Sequence, residues 1–307
     1  MKNRISIILI TILILVNCQL SLAQEQFEFN VTQIEVYENG NKFKGLKRGK
    51  INTDSNINLE ADEFEYNKIT NILVANGNVI INDLVNDIVI ETESVTYKKN
   101  EEVIFTNTRS KATGKNTIIN ADSFKFNKKQ NELYANGNVI IDDLLNDILI
   151  ESDDLNYLVN KNIIFTNTRS KATGKNTIIN ADSFKFNRSN NELNAHGNAE
   201  IEDLVKKIIV QSDKINFFKN KESFNSKGNS KAFDNGLIIN ADEFEYNKIL
   251  NIANAYKNVV INDEIQDIII FTENSTYFRN KEKIITEGKQ RQYQKISITL
   301  ILKILYF

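Results

Sequence analysis

The sequence predicts an all-β chain of bent antiparallel strands arranged in 60-residue tandem repeats, and three observations carry that prediction. In residues 118–126 apolar or small side chains fall at Ile119 and Ala121, then at Phe124 and Phe126. The period-two alternation of a half-buried strand therefore slips by one residue at Ala121-Asp122, which inverts the faces unless a bend or bulge absorbs the extra residue. Asp122 is expected to mark a corner. The second observation is recurrence: a small residue, an acid, any residue, an apolar one, any residue and an aromatic, with the acid at Asp62, Glu93, Asp122, Asp153, Asp182, Asp213, Asp242 and Glu273. Spacings alternate between 31 and 29 residues, so the period is 60 with two related halves. The third is identity over 24 residues between 104–127 and 164–187, the mark of a recent duplication of a structural unit. Such units bury a common core only against their neighbours.

Taken in order, residues 1–23 read as an export signal: Lys2 and Arg4, an apolar run from Ile5 to Val16, then Ser21-Leu22-Ala23 before Gln24. The run is short for a membrane span, and a small-x-small site follows it. The single cysteine, Cys18, lies inside that signal, which predicts a mature protein without disulfides. Asn17 is bulkier than the small residue usual before an acylated cysteine. Residues 24–52 form a lead-in: 27–31 and 33–37 alternate like strands, 38–41 is a turn signal, and the basic residues between Lys42 and Lys50 read as a solvated edge. Residues 53–288 are the repeat array. Its eight half-repeats predict eight stacked rungs, about 40 Å at about 4.8 Å each.

Within a half-repeat a second strand follows the bent one. Leu133, Ala135, Gly137, Val139 and Ile141 share one face, and their equivalents 31 residues on are Ile164, Thr166, Thr168, Ser170 and Ala172. One half is lined with larger apolar groups and the other with small or hydroxyl groups, an asymmetry that leaves one side of a two-sheet structure open or wet. The last rung decays, Lys257 standing where Gly77, Gly137 and Gly197 stand earlier. Residues 289–307 leave the repeat as an apolar tail, read as a terminal cap or as the mark of a truncated or frame-disrupted chain.

Composition excludes some functions. With 41% hydrophobic and 25% charged residues the chain is globular, and a net charge of -2 offers no attraction to nucleic acid. Proline is absent, so turns rely on Asn, Gly, Asp and Lys. The corner acids would form a carboxylate ladder, but no glycine-rich calcium loop accompanies them, and each acid is expected to accept backbone N–H bonds at its own bend. His196 replaces the Asn of other copies. No Ser/His/Asp set, metal-spaced cluster or phosphate loop is present, so neither an enzyme, a metal site nor a cofactor is expected. Arg109, Lys111, Lys115 and their copies flank the polar strands as edge charges or as contacts for lipid phosphates.

The strings 121–126 (Ala-Asp-Ser-Phe-Lys-Phe) and 133–139 (Leu-Tyr-Ala-Asn-Gly-Asn-Val), behind an export signal, resemble the OstA-like family (organic solvent tolerance, N-terminal domain), which includes LptA and the periplasmic domain of LptD. The resemblance covers residues 53–288. It implies an elongated twisted β-jellyroll in the periplasm, associated with the outer membrane, that shelters the acyl chains of lipopolysaccharide. It further implies pairing by sheet edges with other jellyroll proteins or with itself, and contact with an outer-membrane assembly protein. Phe64, Phe124, Phe126, Phe184, Phe186, Phe244, Val139 and Ile141 become the candidate lipid-contacting residues. The chain lacks the many further strands of a membrane barrel. A secreted β-solenoid acting as a surface or adhesive structure, or an assembly protein truncated before its barrel, stays open beside the transport bridge.

Overall fold

At every corner described, the chain bends where the alternation slips. Thr117–Ala121 and Ser123–Asn127 are two strands separated by Asp122 alone, and both pair antiparallel with the long strand Glu132–Asp143. Asn120 faces Ile140 and Ser123 faces Asn136, so the long strand carries one extra residue across the bend. That residue belongs to a β-bulge at Gly137-Asn138, where both φ values are positive, 76° and 46°. Glycine and asparagine adopt this left-handed region at the least cost. The computed structural model describes residues 27–53 and 56–294. The predicted export signal with Cys18, and the tail beyond 294, lie outside the described residues.

The rungs follow one another as a meander folded lengthwise into a V. Segments such as Thr117–Ala121 and Ser110–Gly114 build a first wall, segments such as Ser123–Asn127 and Val103–Thr106 a second. Strands such as Glu132–Asp143 and Ile148–Leu158 run through the corner and belong to both. All the described strands join one antiparallel sheet. The second strand of each half-repeat bends as well and stacks as a rung of its own. The expected eight rungs over about 40 Å are therefore corrected to two rungs per half-repeat, an array on the order of 75 Å at about 4.8 Å per rung.

Inside the V, the face read from the alternation is the buried one. Ile119, Ala121, Phe124, Phe126, Leu133, Ala135, Val139 and Ile141 are all buried, while Lys125 is exposed. The hydroxyl-lined half is not open. Where the strands Val103–Thr106 and Ser110–Gly114 break at the corner, the Phe124 N–H loses a ladder partner, and the Thr106 hydroxyl accepts it at 2.8 Å. Ser110 and Thr92 lie 2.8 Å apart, Ser170 and Ser152 2.9 Å, and Ser226 and Ser230 2.9 Å. The small side chains thus satisfy one another's hydroxyls at the corner.

The lead-in extends the same walls. Lys42–Leu46 pairs with Glu63–Asn67 on the second wall and Gly49–Asn52 with Ile57–Ala61 on the first. Glu28–Asn30 adds one more strand beside Gly49–Asn52, and Gln33–Tyr37 pairs with Lys42–Leu46. Phe27, Phe29 and Phe43 gather around Tyr66, with Phe27 and Tyr66 edge to face at 4.7 Å between centroids. These rings plug one end of the interior.

Candidate functional site

The eight candidate residues converge on the interior of the V. Phe64, Phe124, Phe184 and Phe244 form one column at 60-residue spacing, and each faces an alanine on the next rung: Ala75, Ala135, Ala195 and Ala255. On the rung before stand Gly45, Thr166 and Ser226 opposite Phe64, Phe184 and Phe244. Large rings alternate with small residues along the array, which leaves room for each ring inside the V. Phe126, Phe186, Val139 and Ile141 complete this packing, and all eight are 3% exposed or less. The column is shut from solvent.

Corner and seam bound this interior on its two long sides. At the corner, Asp122 accepts from Arg109 Nη1 at 2.8 Å and from Asn138 Nδ2 at 2.7 Å, and its own N–H donates to the Gly137 carbonyl. Asp62 with Arg48 and Asn78, and Asp182 with Arg169 and Asn198, repeat the arrangement. Each aspartate thus ties the rung before it to the rung after it through side chains, which corrects the expectation that these acids cap backbone N–H groups. The reason is the bulge: it turns an Asn side-chain amide, not a backbone N–H, toward the acid. Asp154, one place further along than the corner acid Asp153, does accept a backbone N–H, from Asn167. The Arg109 and Asn138 bonds hold the Asp122 carboxyl below the ordinary carboxylate range; for Asp62 the larger cause is Asn78, then Arg48. The basic residues Arg48, Arg109 and Arg169 are thereby corner ties, while Lys111 pairs with Glu91 on the outer face at 3.2 Å. His196 lies exposed at its corner, where partial burial and the nearby Lys214 and Lys185 lower its pKa.

Opposite the corner the two walls meet along a seam. Among the described residues, the backbone hydrogen bonds of the seam turns run from rung to rung within one wall, as from Leu144 N to the Asn116 carbonyl or from Arg188 N to the Asn162 carbonyl. Side chains make the crossings. Arg188, after the second-wall strand Ser183–Asn187, grips Asp143 at the end of the first wall through Nε (2.6 Å) and Nη2 (3.3 Å), and donates to the Tyr157 hydroxyl at 2.7 Å. Lys248 meets Asp203 at 3.1 Å, Arg279 meets Asp234 at 2.7 Å, and Lys128 stands 3.8 Å from Asp83. Burial, together with Asp234, pushes the Tyr277 hydroxyl up to about 12, so it stays a neutral donor to that carboxylate at 3.3 Å.

Between these crossings the seam opens into two cavities of about 330 Å³ each, one repeat apart. The first is walled by Ile88, Ala112, Ile119 and Leu133 beneath Asn116 and Arg188. The second is walled by Ile148, Ala172, Ile179 and Leu193 beneath Lys206 and Lys248. A smaller apolar cavity lies below Arg279 and includes Phe244, the one candidate residue that lines any of the three. The alternation had found the walls; the seam residues were missed. Their signal is a constant offset of 45 residues between each aspartate and its cation, visible in the sequence only once the lips are known to face each other.

The sequence model of the family described as "Lipopolysaccharide-assembly, LptC-related" matches residues 18–133 and again 117–202, more than half of the 307 residues between them. No curated protein matches the chain. Among solved structures, LptH, the LptA-homologous periplasmic component of the lipopolysaccharide transport device from Pseudomonas aeruginosa, is similar at 15% identity, with 46% of this chain and 82% of that one covered and a TM-score of 0.21. Hsv2 from Kluyvelomyces marxianus is similar at 11% identity over 87% of this chain and 99% of its own, with a TM-score of 0.13. Superpositions this loose bear on neither fold nor site. The family sequence model matches twice along the duplicated array, and the chain belongs to the LptC-related family of lipopolysaccharide-assembly proteins.

Proposed function

We propose that this protein is a periplasmic bridge in lipopolysaccharide transport, whose apolar interior shelters acyl chains without turning them over. One observation carries the reading: an apolar core continues along the whole array behind a seam crossed by side chains, so the walls can part there without breaking a ladder of backbone hydrogen bonds. Family membership supports the same pathway. Phe64, Phe124, Phe126, Phe184, Phe186, Phe244, Val139 and Ile141 are the groups that chains would meet once inside. The division into export signal (1–23), lead-in (24–52), array (53–288) and tail (289–307) belongs to this proposal, as does docking to other jellyroll proteins, to itself or to an outer-membrane assembly protein. Unpaired strand edges favour such docking, and the five residues of Gln33–Tyr37 are all exposed at one edge.

The test is photo-crosslinking from positions 124 and 184 in cells that make lipopolysaccharide, with position 125 as the outward control. Labelling at 124 and 184 well above 125 is expected. Equal labelling at 125, or none at any position, returns the chain to the surface-solenoid reading.

A further inference from the structure

The seam has an ordered chemistry of its own. Asp83, Asp143 and Asp203 each end a first-wall strand, Ile72–Asp83, Glu132–Asp143 and Glu192–Asp203. Each is faced by a cation 45 residues on: Lys128, Arg188 and Lys248. A fourth crossing, Arg279 to Asp234, keeps the same offset half a repeat out of phase. Directly after each of the three aspartates comes an exposed aliphatic pair: Leu84-Val85, Leu144-Leu145 and Leu204-Val205, between 43% and 68% exposed. The aspartate also holds the turn that presents the pair, since Asp83 accepts from Val85 N and Asn86 N, and Asp203 from Val205 N and Lys206 N. Leu145 and Val205 line the mouths of the two seam cavities. The same first-wall turn thus carries both the ion pair and an exposed aliphatic tip, and the facing turn after Lys248 exposes Ile249 and Leu250 as well, so the seam is edged by apolar side chains interrupted by ion pairs.

The crossings are unequal. Asp143 and Arg188 are 0% and 7% exposed and joined in a two-pronged grip, reinforced where Asn146 Nδ2 donates to both Asp143 Oδ2 and the Arg188 carbonyl. Lys248 adds one bond to the Thr177 hydroxyl at 3.0 Å. Lys128 and Asp83, at 3.8 Å, are beyond hydrogen-bond range of each other. A buried charge is costly to leave without a partner, so this pair holds the lips together until another anion takes the place of the carboxylate beside the cation.

We propose that the seam is a latched lateral inlet for a multiply acylated anionic amphiphile. The aliphatic pairs are the first apolar surface its chains meet, and release of the aspartate turn from Lys128, Arg188 or Lys248 lets those chains pass into the core, with Arg188 the strongest latch. The inlet rests on the transport reading above. A chain arriving at Leu144-Leu145 gains apolar contact as the turn swings outward, and the freed cation meets the phosphates of the headgroup, which exchange for the lost carboxylate. Opening needs no strand to unpair, because the walls remain joined through the corner strands.

Spin labels at Leu145→Cys and Ser189→Cys, exposed positions at the mouth of the same cavity, report the seam distance in a chain carrying Cys18→Ser. The ligand-free protein is expected to show a single short distance. Asp143→Asn with Arg188→Met, which removes both charges together, is expected to shift it to a longer, broader distribution, and Arg188→Lys to an intermediate one should the double variant not fold. Purified lipopolysaccharide is expected to lengthen the distance in the parent, and to associate about tenfold faster with the unlatched variant, as when a minor competent state becomes the major one. An unchanged distance in the variants, or uptake by the parent with the seam still short, overturns the latch while leaving the bridge standing. Opened variants that take up no lipopolysaccharide, beside a parent that takes up none, overturn the bridge and the inlet with it.

Discussion

Phe124 and Lys125 are neighbours in the chain and opposites in the fold. Phe124 is 3% exposed and packs over Ala135, so Phe124→Ala should destabilise by about 3–5 kcal/mol, whereas Lys125→Ala should stay within about 0.5 kcal/mol. Urea unfolding of the two variants measures both, and equal losses would mean that the faces are wrong. Asp122 supplies a pH test. Its folded pKa lies below its ordinary value because Arg109 and then Asn138 bind the carboxylate. The stability it contributes is present above the unfolded value of about 3.9 and is lost as pH falls through the lower folded value. The difference in thermal midpoint between the parent and Asp122→Asn should therefore shrink as pH drops below about 4. A gap that persists unchanged at lower pH would separate the corner from the charge on Asp122.

At the scale of the element, the corner is a bulge that only certain residues tolerate. Gly137 has φ +76°, and a Cβ built there would stand 2.5 Å from Asp122 Oδ2. Gly137→Ala should cost at least about 1–2 kcal/mol from the left-handed backbone alone, and displace the aspartate besides. Gly114, without a positive φ and with nothing closer than 3.9 Å, is the matched control, and alanine there should change stability by less than about 1 kcal/mol. Chemical denaturation distinguishes the two. The bend itself was legible from the slip at Ala121-Asp122, because side-chain parity is a property of the strand alone. Which groups the acid would bind was not legible, since Arg109 and Asn138 come from different rungs, 13 and 16 residues away on either side. The wet half expected from Thr166 and Ser170 fails for a related reason: hydroxyl composition is visible in the chain, but whether hydroxyls find each other or water depends on how neighbouring rungs align.

At the scale of the whole molecule, the folded meander has two ends, and among the described residues the outer edge of Gln33–Tyr37 pairs with no other strand. Ile34 and Val36 are 47% and 54% exposed there. End-to-end association that rises with concentration is the expected behaviour, and Val36→Lys should weaken it by placing a charge on the edge. Sedimentation velocity over a hundredfold range, about micromolar to about 100 micromolar, measures it, in the span typical of weak, small interfaces. A parent that stays monomeric throughout, or a variant that associates equally well, would remove edge pairing as the mode of docking.

The all-β class, the 60-residue period, the corners and the inward face could all be read from residue order, because strand parity and repetition are local properties that the chain carries wherever it goes. Residue order could not tell that the second strand of each half-repeat is a rung in its own right, which doubles the length of the array, since that depends on which edges pair. Nor could it tell that the phenylalanine column is shut rather than lining an open groove. Arg188 and Asp143 and their counterparts, 45 residues apart and on opposite lips, were equally out of reach, because two such groups acquire an interaction only after both walls have folded and taken them out of water.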